Sequence, residues 1–350
     1  MSETIGQIGE FGLIHRIDQL LRSEGKRSAQ VSIGIGDDTA SFRPRADYEL
    51  LVTCDSMVEG RHYLPGRITS LDLGRRAMAV NISDIGAMGG EPLYALVSLG
   101  LRADTPVADV EEMYRGFLAE LNPFGASIIG GNLTKVDQAD FIDVTLIGEG
   151  EPGKILRRST ARPGDAILVT GFPGQAAAGL GLLLRAGLPP ASPESPESPE
   201  SEEATLIRAY TTPIPRAREG RAVAQLGCAT AMIDTSDGFL GDLGHICEES
   251  DAGAELIQEF LPVSEALRRA APRLGKDPGE FILGPSDDYE LIITCPPECV
   301  DRVRSSIAAT SGVPVSLVGR MTGVRGDITL LLPGGGRRRL TRGGWDHFAS

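Results

Sequence analysis

Apolar positions along the chain follow two rhythms. Phe11, Ile14, Ile17, Leu20 and Leu21 recur at helical spacing and predict an amphipathic helix over residues 10–22. Helical patterns return at 71–88, 107–120, 175–186, 216–226, 239–249, 263–271 and 298–309. Gly187 is well placed to stop the helix at 175–186. Short apolar runs predict strands at 48–53, 93–100, 126–130, 141–148, 166–170, 229–233, 289–294, 314–319 and 327–332. Two of these elements carry acids. The strand at 48–53 delivers Asp55 to its end, and the helix at 71–88 holds Asp84 near its C-terminal part.

Alternation of this kind predicts an α/β or α+β protein with mixed sheets. A chain of 350 residues suggests two domains, and the turn Arg162-Pro163-Gly164-Asp165 before a new apolar run sets the boundary near 150. The expected domains are 1–150 and 151–350. Three Pro-Glu-Ser repeats mark residues 189–204 as a disordered surface loop, because proline and like charge prevent burial of apolar area.

Composition narrows the partners. Hydrophobic residues make up 41% and charged residues 23%, enough for a globular core. A net charge of -14 argues against nucleic acid, which needs a basic face. No apolar run approaches the ~20 residues of a membrane span, and the N-terminus lacks a signal-peptide core, so a cytoplasmic location is expected. The five cysteines are scattered, and Cys295-Pro-Pro-Glu-Cys299 lacks zinc-ribbon spacing; free thiols are expected.

The candidate chemistry lies in carboxylates grouped beside glycines: Gly36-Asp37-Asp38, Thr53-Cys54-Asp55, Ser83-Asp84, Asp234-Thr235-Ser236-Asp237-Gly238 and Asp287-Asp288-Tyr289-Glu290. Clustered acids repel one another and call for a hard divalent cation, which prefers oxygen ligands and brings phosphates with it. The pattern GxxxxGK[ST] is absent. Gly130-Gly131-Asn132 follows an apolar strand, where glycines let backbone N–H groups approach a phosphate; a plain turn explains it equally well. Asp37-Asp38 likewise fits an Asx-type turn. The histidines are too dispersed for a zinc site, and no histidine stands at nucleophile spacing from Ser56 or Ser236.

Taken in order, these segments resemble the thiamine-monophosphate kinase family of the aminoimidazole ribonucleotide synthetase superfamily. The resemblance runs through Gly9-Glu10-Phe11-Gly12-Leu13-Ile14, Ile35-Gly36-Asp37-Asp38, Thr53-Cys54-Asp55 with Glu59-Gly60-Arg61-His62, and Asn81-Ile82-Ser83-Asp84. It continues through Gly130-Gly131-Asn132, Arg158, Val169-Thr170-Gly171, Asp234 to Gly238, Asp288-Tyr289-Glu290-Leu291 and Gly344-Trp345-Asp346-His347-Phe348. It implies an N-terminal domain that forms a β-barrel across a homodimer, and a C-terminal α/β domain whose mixed sheet is flanked by helices. The implied reaction is direct in-line phosphorylation of thiamine phosphate by ATP, giving thiamine diphosphate.

Residue by residue, the resemblance implies that Asp38, Thr53, Cys54, Asp55, Asp84, Asn132, Asp234 and Asp237 line several Mg2+ sites. Tyr114, Gly131, Asn132, Arg158 and Ser236 would contact ATP, while His62, Asp287 and Trp345 would face thiamine phosphate. Asp55, Asp84 and Arg158 would carry the catalysis. Two departures bear on this. Cys54 stands where the family has threonine, and Pro285-Ser286-Asp287 replaces Gly-Gly-Glu, shortening the acid at the substrate end. The alternatives are a sibling enzyme using ATP on another small phosphate or carboxylate, and a non-catalytic ATP-binding dimer. Retention of the metal carboxylates weighs against the latter.

Overall fold

The computed structural model describes residues 3–26, 28–35, 39–186 and 201–341. They divide into two compact units. Unit one holds the described residues up to Ile85 and Glu91–Pro152; unit two holds Gly86–Gly90 and the described residues from Gly153 on.

Unit one contains α1 (Ile5–Glu24), β1 (Val31–Ile33), β2 (Ser41–Phe42), β3 (Glu49–Val58) and α2 (Ser70–Ala87), whose last two residues count with unit two. It continues with β4 (Glu91–Leu101), α3 (Val107–Leu121), β5 (Ser127–Lys135) and β6 (Phe141–Gly150). The four long strands form one sheet in the order β3-β6-β4-β5, parallel between β4 and β5 and antiparallel elsewhere. Strand alternation divides its residues between two faces. Leu51, Met57, Val97, Leu99, Ile142, Val144 and Leu146 are buried. So are Met78 and Ile82 of α2 and Val110 and Phe117 of α3. The two helices touch backbone to backbone: a Cβ on Gly116 would lie 2.1 Å from the Leu71 carbonyl oxygen, so only glycine fits. The opposite sheet face leaves Leu50 44% and Val52 65% exposed.

Unit two contains β7 (Ala166–Thr170), α4 (Gln175–Ala186), α5 (Glu202–Thr211), α6 (Ala217–Leu226), β8 (Ala231–Asp234), α7 (Phe239–Glu249) and β9 (Gly253–Ile257). There follow α8 (Glu265–Arg273), α9 (Pro278–Ile282), β10 (Leu291–Cys295), α10 (Val300–Thr310), β11 (Val315–Thr322), β12 (Ile328–Leu331) and β13 (Arg337–Leu340). Seven strands form a mixed sheet in the order β13-β12-β9-β11-β7-β10-β8, parallel only between β9 and β12. Alternation again sorts the core. Ile167, Val169, Ile233 and Ile292 pack with Phe239 and Leu243 of α7 and Leu267 of α8. Ala166, Leu168, Met232, Leu291 and Ile293 pack with Val223 of α6 and Val303 and Ile307 of α10. The sheet therefore has a helical layer on each face.

The architecture is mixed α/β, as expected, and neither long sheet closes into a barrel among the described residues. No helix is long and apolar enough to cross a membrane. Three expectations change. The strand carrying Asp55 runs on to Val58, because Met57 continues the buried alternation. The strand before Gly130 continues through Gly131 and Asn132 to Lys135, paired with β4 throughout. Residues 201–204 do not belong to a disordered loop. Ser201 accepts the Ala204 N–H at 3.1 Å, Glu202 and Glu203 occupy the first turn of α5, and Glu203 pairs with Arg273. The rest of the expected loop lies outside the described residues, as do Asp38 and Trp345.

Candidate active site

In unit one the acids are gathered by sheet pairing. Thr53 and Asp55 alternate with Cys54 and Ser56 along β3, so the two pairs point to opposite faces. Thr53 Oγ1 donates a hydrogen bond to Asp84 Oδ2, which ties β3 to the C-terminal part of α2. Asp55 shares a hydrogen bond with Asp84, and its carboxyl is pushed up to about 6 by desolvation first, then by Asp84 and Asp143. On the other face, Ser56 Oγ donates to Asp143 Oδ2 at 2.5 Å, and Cys54 Sγ donates to Asp143 Oδ1 at 3.4 Å. Register places Ser56, Asp143, Ser98 and Asn132 in one row across all four strands. Gly131 stands beside that row, and a Cβ there would lie 1.9 Å from the Val97 carbonyl oxygen. Cys54 thus directs its thiol away from the Asp55–Asp84 pair.

Unit two gathers its acids where a strand turns into a helix. Asp234 ends β8 and is buried. Phe239 begins α7 directly after Asp237-Gly238, and Asp242 and His245, three residues apart, share one helix face. The ligand atoms of Asp237, Asp242 and His245 all lie within 4.8 Å of one another. Asp242 Oδ2 accepts the Asp237 and Gly238 N–H groups at 3.1 and 3.0 Å. Even so, burial first, and then Asp234 and Asp237, push its carboxyl up to about 8. Crowded carboxyls of this kind suit a hard divalent cation, and apart from His245 every donor is oxygen. The residues present fit Mg2+.

The loop before β10 is held from three sides. Asp288 accepts the Gly174 and Ala176 N–H groups at 2.6 and 2.8 Å at the start of α4, and burial pushes its carboxyl up to about 7. Tyr289 takes a left-handed backbone, φ 55°, and its N–H bonds the Thr235 carbonyl at 2.9 Å. Glu290 forms a two-pronged ion pair with Arg216, at 2.8 and 2.7 Å, and accepts the Thr170 hydroxyl at 2.6 Å. Asp287, half-buried, leads into this clasp.

The remaining expected residues are placed as follows. Ser236 and Arg158 are exposed on unit two, and Asn132 and Gly131 are exposed on β5. His62 lies in the loop after β3, where its Nδ1 accepts the Val58 N–H at 3.0 Å, leaving the ring proton on Nε2. Tyr114 is 4% exposed and stands edge-on to Phe117, which makes its ring part of the core of unit one. Sequence reading passed over Asp143, which looks like an ordinary polar position of an alternating strand. It also passed over His245, although the spacing Asp237, Asp242, His245 across a helix start was available.

Residues 36–150 match the family described as AIR synthase related protein, N-terminal domain. Thiamine-monophosphate kinase of Escherichia coli (strain K12) is 35% identical over 346 residues, covering 98% of this chain and 99% of that protein. The chain belongs to the thiamine-monophosphate kinase family. Solved structures agree. Thiamine-monophosphate kinase from Stenotrophomonas maltophilia K279a superposes with a TM-score of 0.80 at 31% identity, covering 94% of this chain and 98% of that one. The structure of AaThiL complexed with AMPPCP and TMP gives 0.74 at 32% identity, covering 98% of each chain.

Proposed function

We propose that this chain transfers the γ-phosphoryl group of ATP in line to thiamine phosphate, forming thiamine diphosphate. The observation that carries this reading is full-length likeness, at 32% identity, to a relative complexed with AMPPCP and TMP. The acid clusters support it. Asp55, Asp84 and Thr53 on one unit, and Asp234, Asp237 and Asp242 on the other, are proposed to hold Mg2+, with Asp38 and Asn132 as further ligands and Cys54 contributing through its backbone carbonyl. Bound Mg2+ would supply positive charge against the phosphates.

The remaining roles fall to the chain's own groups. Gly131 brings backbone close to a phosphate, Ser236 and Arg158 offer exposed donors to ATP, and Arg158 is suited to charge on the transferring group. His62, Asp287 and Trp345 are assigned to thiamine phosphate. Residues 1–150 are proposed to form the ATP, Mg2+ and dimerisation domain, and residues 151–350 the second domain. The exposed Leu50 and Val52, the latter opposite Ile147, support a homodimer joined through the outer sheet face, with a barrel completed across it. The proposed compartment is the cytoplasm, which supplies ATP.

The test is direct. Purified protein is incubated with ATP, Mg2+ and a panel of small phosphate and carboxylate acceptors, and products are separated by chromatography. Thiamine diphosphate should form only with thiamine phosphate present. Turnover of ATP with a different acceptor, and none with thiamine phosphate, would replace this reading with that of a sibling enzyme.

A further inference from the structure

Three of the five cysteines meet at one end of the unit-two sheet, the end of β8 opposite Asp234. Strands β8 and β10 are antiparallel, with Ala231 opposite Thr294, and the Thr230 N–H bonds the Thr294 carbonyl at 2.7 Å. Extending that register, Cys228 enters β8 opposite the turn Pro296–Cys299 through which β10 leaves the sheet. Cys228, Cys295 and Cys299 pack into the same apolar cluster with Leu226, Val300 and Val303. Cys299 caps the N-terminus of α10, and Cys228 follows Gly227, which caps the C-terminus of α6. Arg302 of α10 reaches back to the Leu226 carbonyl at 3.4 Å, so the two helix ends are already fastened together. Cys228 is partly exposed, whereas Cys295 and Cys299 are buried.

We propose that Cys228 and Cys299 form an oxidisable dithiol, with Cys228 as the entry point, that closes to an intramolecular disulfide under hydroperoxide. The thiolate of Cys228 attacks a peroxide oxygen, the O–O bond breaks and hydroxide leaves, becoming water with the proton the thiol released and giving a sulfenic acid. Cys299 Sγ then attacks that sulfur, the S–O bond breaks, and hydroxide departs as water with the Cys299 proton. Two electrons pass from the two thiols to one peroxide. Cys228 and Cys299 also share a side-chain hydrogen bond, which brings the reacting sulfurs together. Burial first, and then Cys299, hold the Cys228 thiol up to about 11, so few thiolates exist at neutral pH. The pair therefore responds to sustained oxidation rather than to a brief pulse. Once made, the bond closes a loop of roughly 70 residues and raises stability by restricting the unfolded chain.

The test exposes the full chain to hydrogen peroxide at pH 7 and at pH 9, alkylates remaining thiols after unfolding, and maps peptides by mass spectrometry. A Cys228–Cys299 linked peptide, two hydrogens lighter, should form at least ~10-fold faster at pH 9, in step with the thiolate fraction. Tm should rise by roughly 5 °C or more and fall back after dithiothreitol. Cys228→Ser and Cys299→Ser, checked for folding by circular dichroism, should each lose the link, and Cys295→Ser should keep it. The proposal fails if wild-type Cys228 oxidises to sulfinic acid while Cys299 still alkylates. A link to Cys228 that survives in Cys299→Ser would overturn it equally, by naming Cys295 as the partner.

Discussion

The two units collect carboxylates by different means, and the difference shows what each collection can do. In unit one a four-stranded sheet delivers them. Alternation sends Thr53 and Asp55 to one face, where Asp84 of α2 meets them, and Ser56 to the other, where Asp143 waits. Asp55, Asp84 and Asp143 are far apart in sequence, and the sheet divides them between its two faces. In unit two a strand end, a loop and the first turns of a helix bend around one point, and Asp237, Asp242 and His245 converge there. The proton affinities follow the geometry: the open sheet raises Asp55 to about 6, while the enclosed turn raises Asp242 to about 8. Asp55 is set up to ionise around pH 6; the buried turn acid Asp242 stays protonated until a cation or higher pH draws the proton away.

The sharpest break in that comparison is at the helix-facing pair. Asp55→Asn and Asp84→Asn should each lower thiamine diphosphate formation by at least ~100-fold while circular dichroism stays unchanged, as expected when charge stabilisation at the reacting phosphate is lost. Near wild-type turnover in either folded variant would remove the pair from the site.

Crossing to the other face of the same strands, Asp143→Asn should cost less. About a 10-fold loss or smaller is expected, because Asp143 is bonded to Ser56 and Cys54 on the side away from Asp84. A loss as large as that of Asp55→Asn would mean that both faces serve one cation.

The smallest effect concerns stability. Asp242, Asp288 and Asp55 all bind protons more tightly in the fold than the ordinary carboxylate value of 3.8. Their contribution is fully present below that value and is lost as pH rises through about 6, 7 and 8. With chelator present, Tm should fall by roughly 5 °C between pH 5 and pH 8. Asp242→Asn should flatten the upper part of that fall, and Mg2+ should reverse it in wild type but less in the variant. A flat pH profile without metal would show that these carboxyls are not crowded in solution.

How much of this could be read from the chain alone depended on where periodicity was clear. The helices at 71–88 and 107–120 and the strands at 141–148 and 166–170 carry uninterrupted apolar rhythm, and each is present, the last with the bounds expected and the others shifted by one or two residues. Strand β13 was missed because Arg337, Arg338 and Arg339 give no apolar signal; pairing with β12 makes it a strand. Helix α5 was missed altogether: Ser201, Glu202 and Glu203 look like the repeats before them, whereas in the fold the serine caps and the acids face a helix N-terminus. Within the candidate site, Asp55, Asp84, Asp234 and Asp237 stood out through their glycine and hydroxyl neighbours. Asp143 could not, since only cross-strand register brings it to Ser56, and no local pattern records register.

The clasp before β10 has a bearing on how such an enzyme can change its diet. Asp287, proposed to face thiamine phosphate, is followed at once by three residues whose geometry is anchored elsewhere: Asp288 to the α4 backbone, Tyr289 to Thr235, and Glu290 to Arg216 and Thr170. These three anchors hold the main chain on its C-terminal side. A substitution at this one position can alter what the loop presents to a small molecule and leave the loop itself in place. Rigid neighbours make the position an adjustable one, so new acceptors can be tried by a lineage without first being rescued from misfolding.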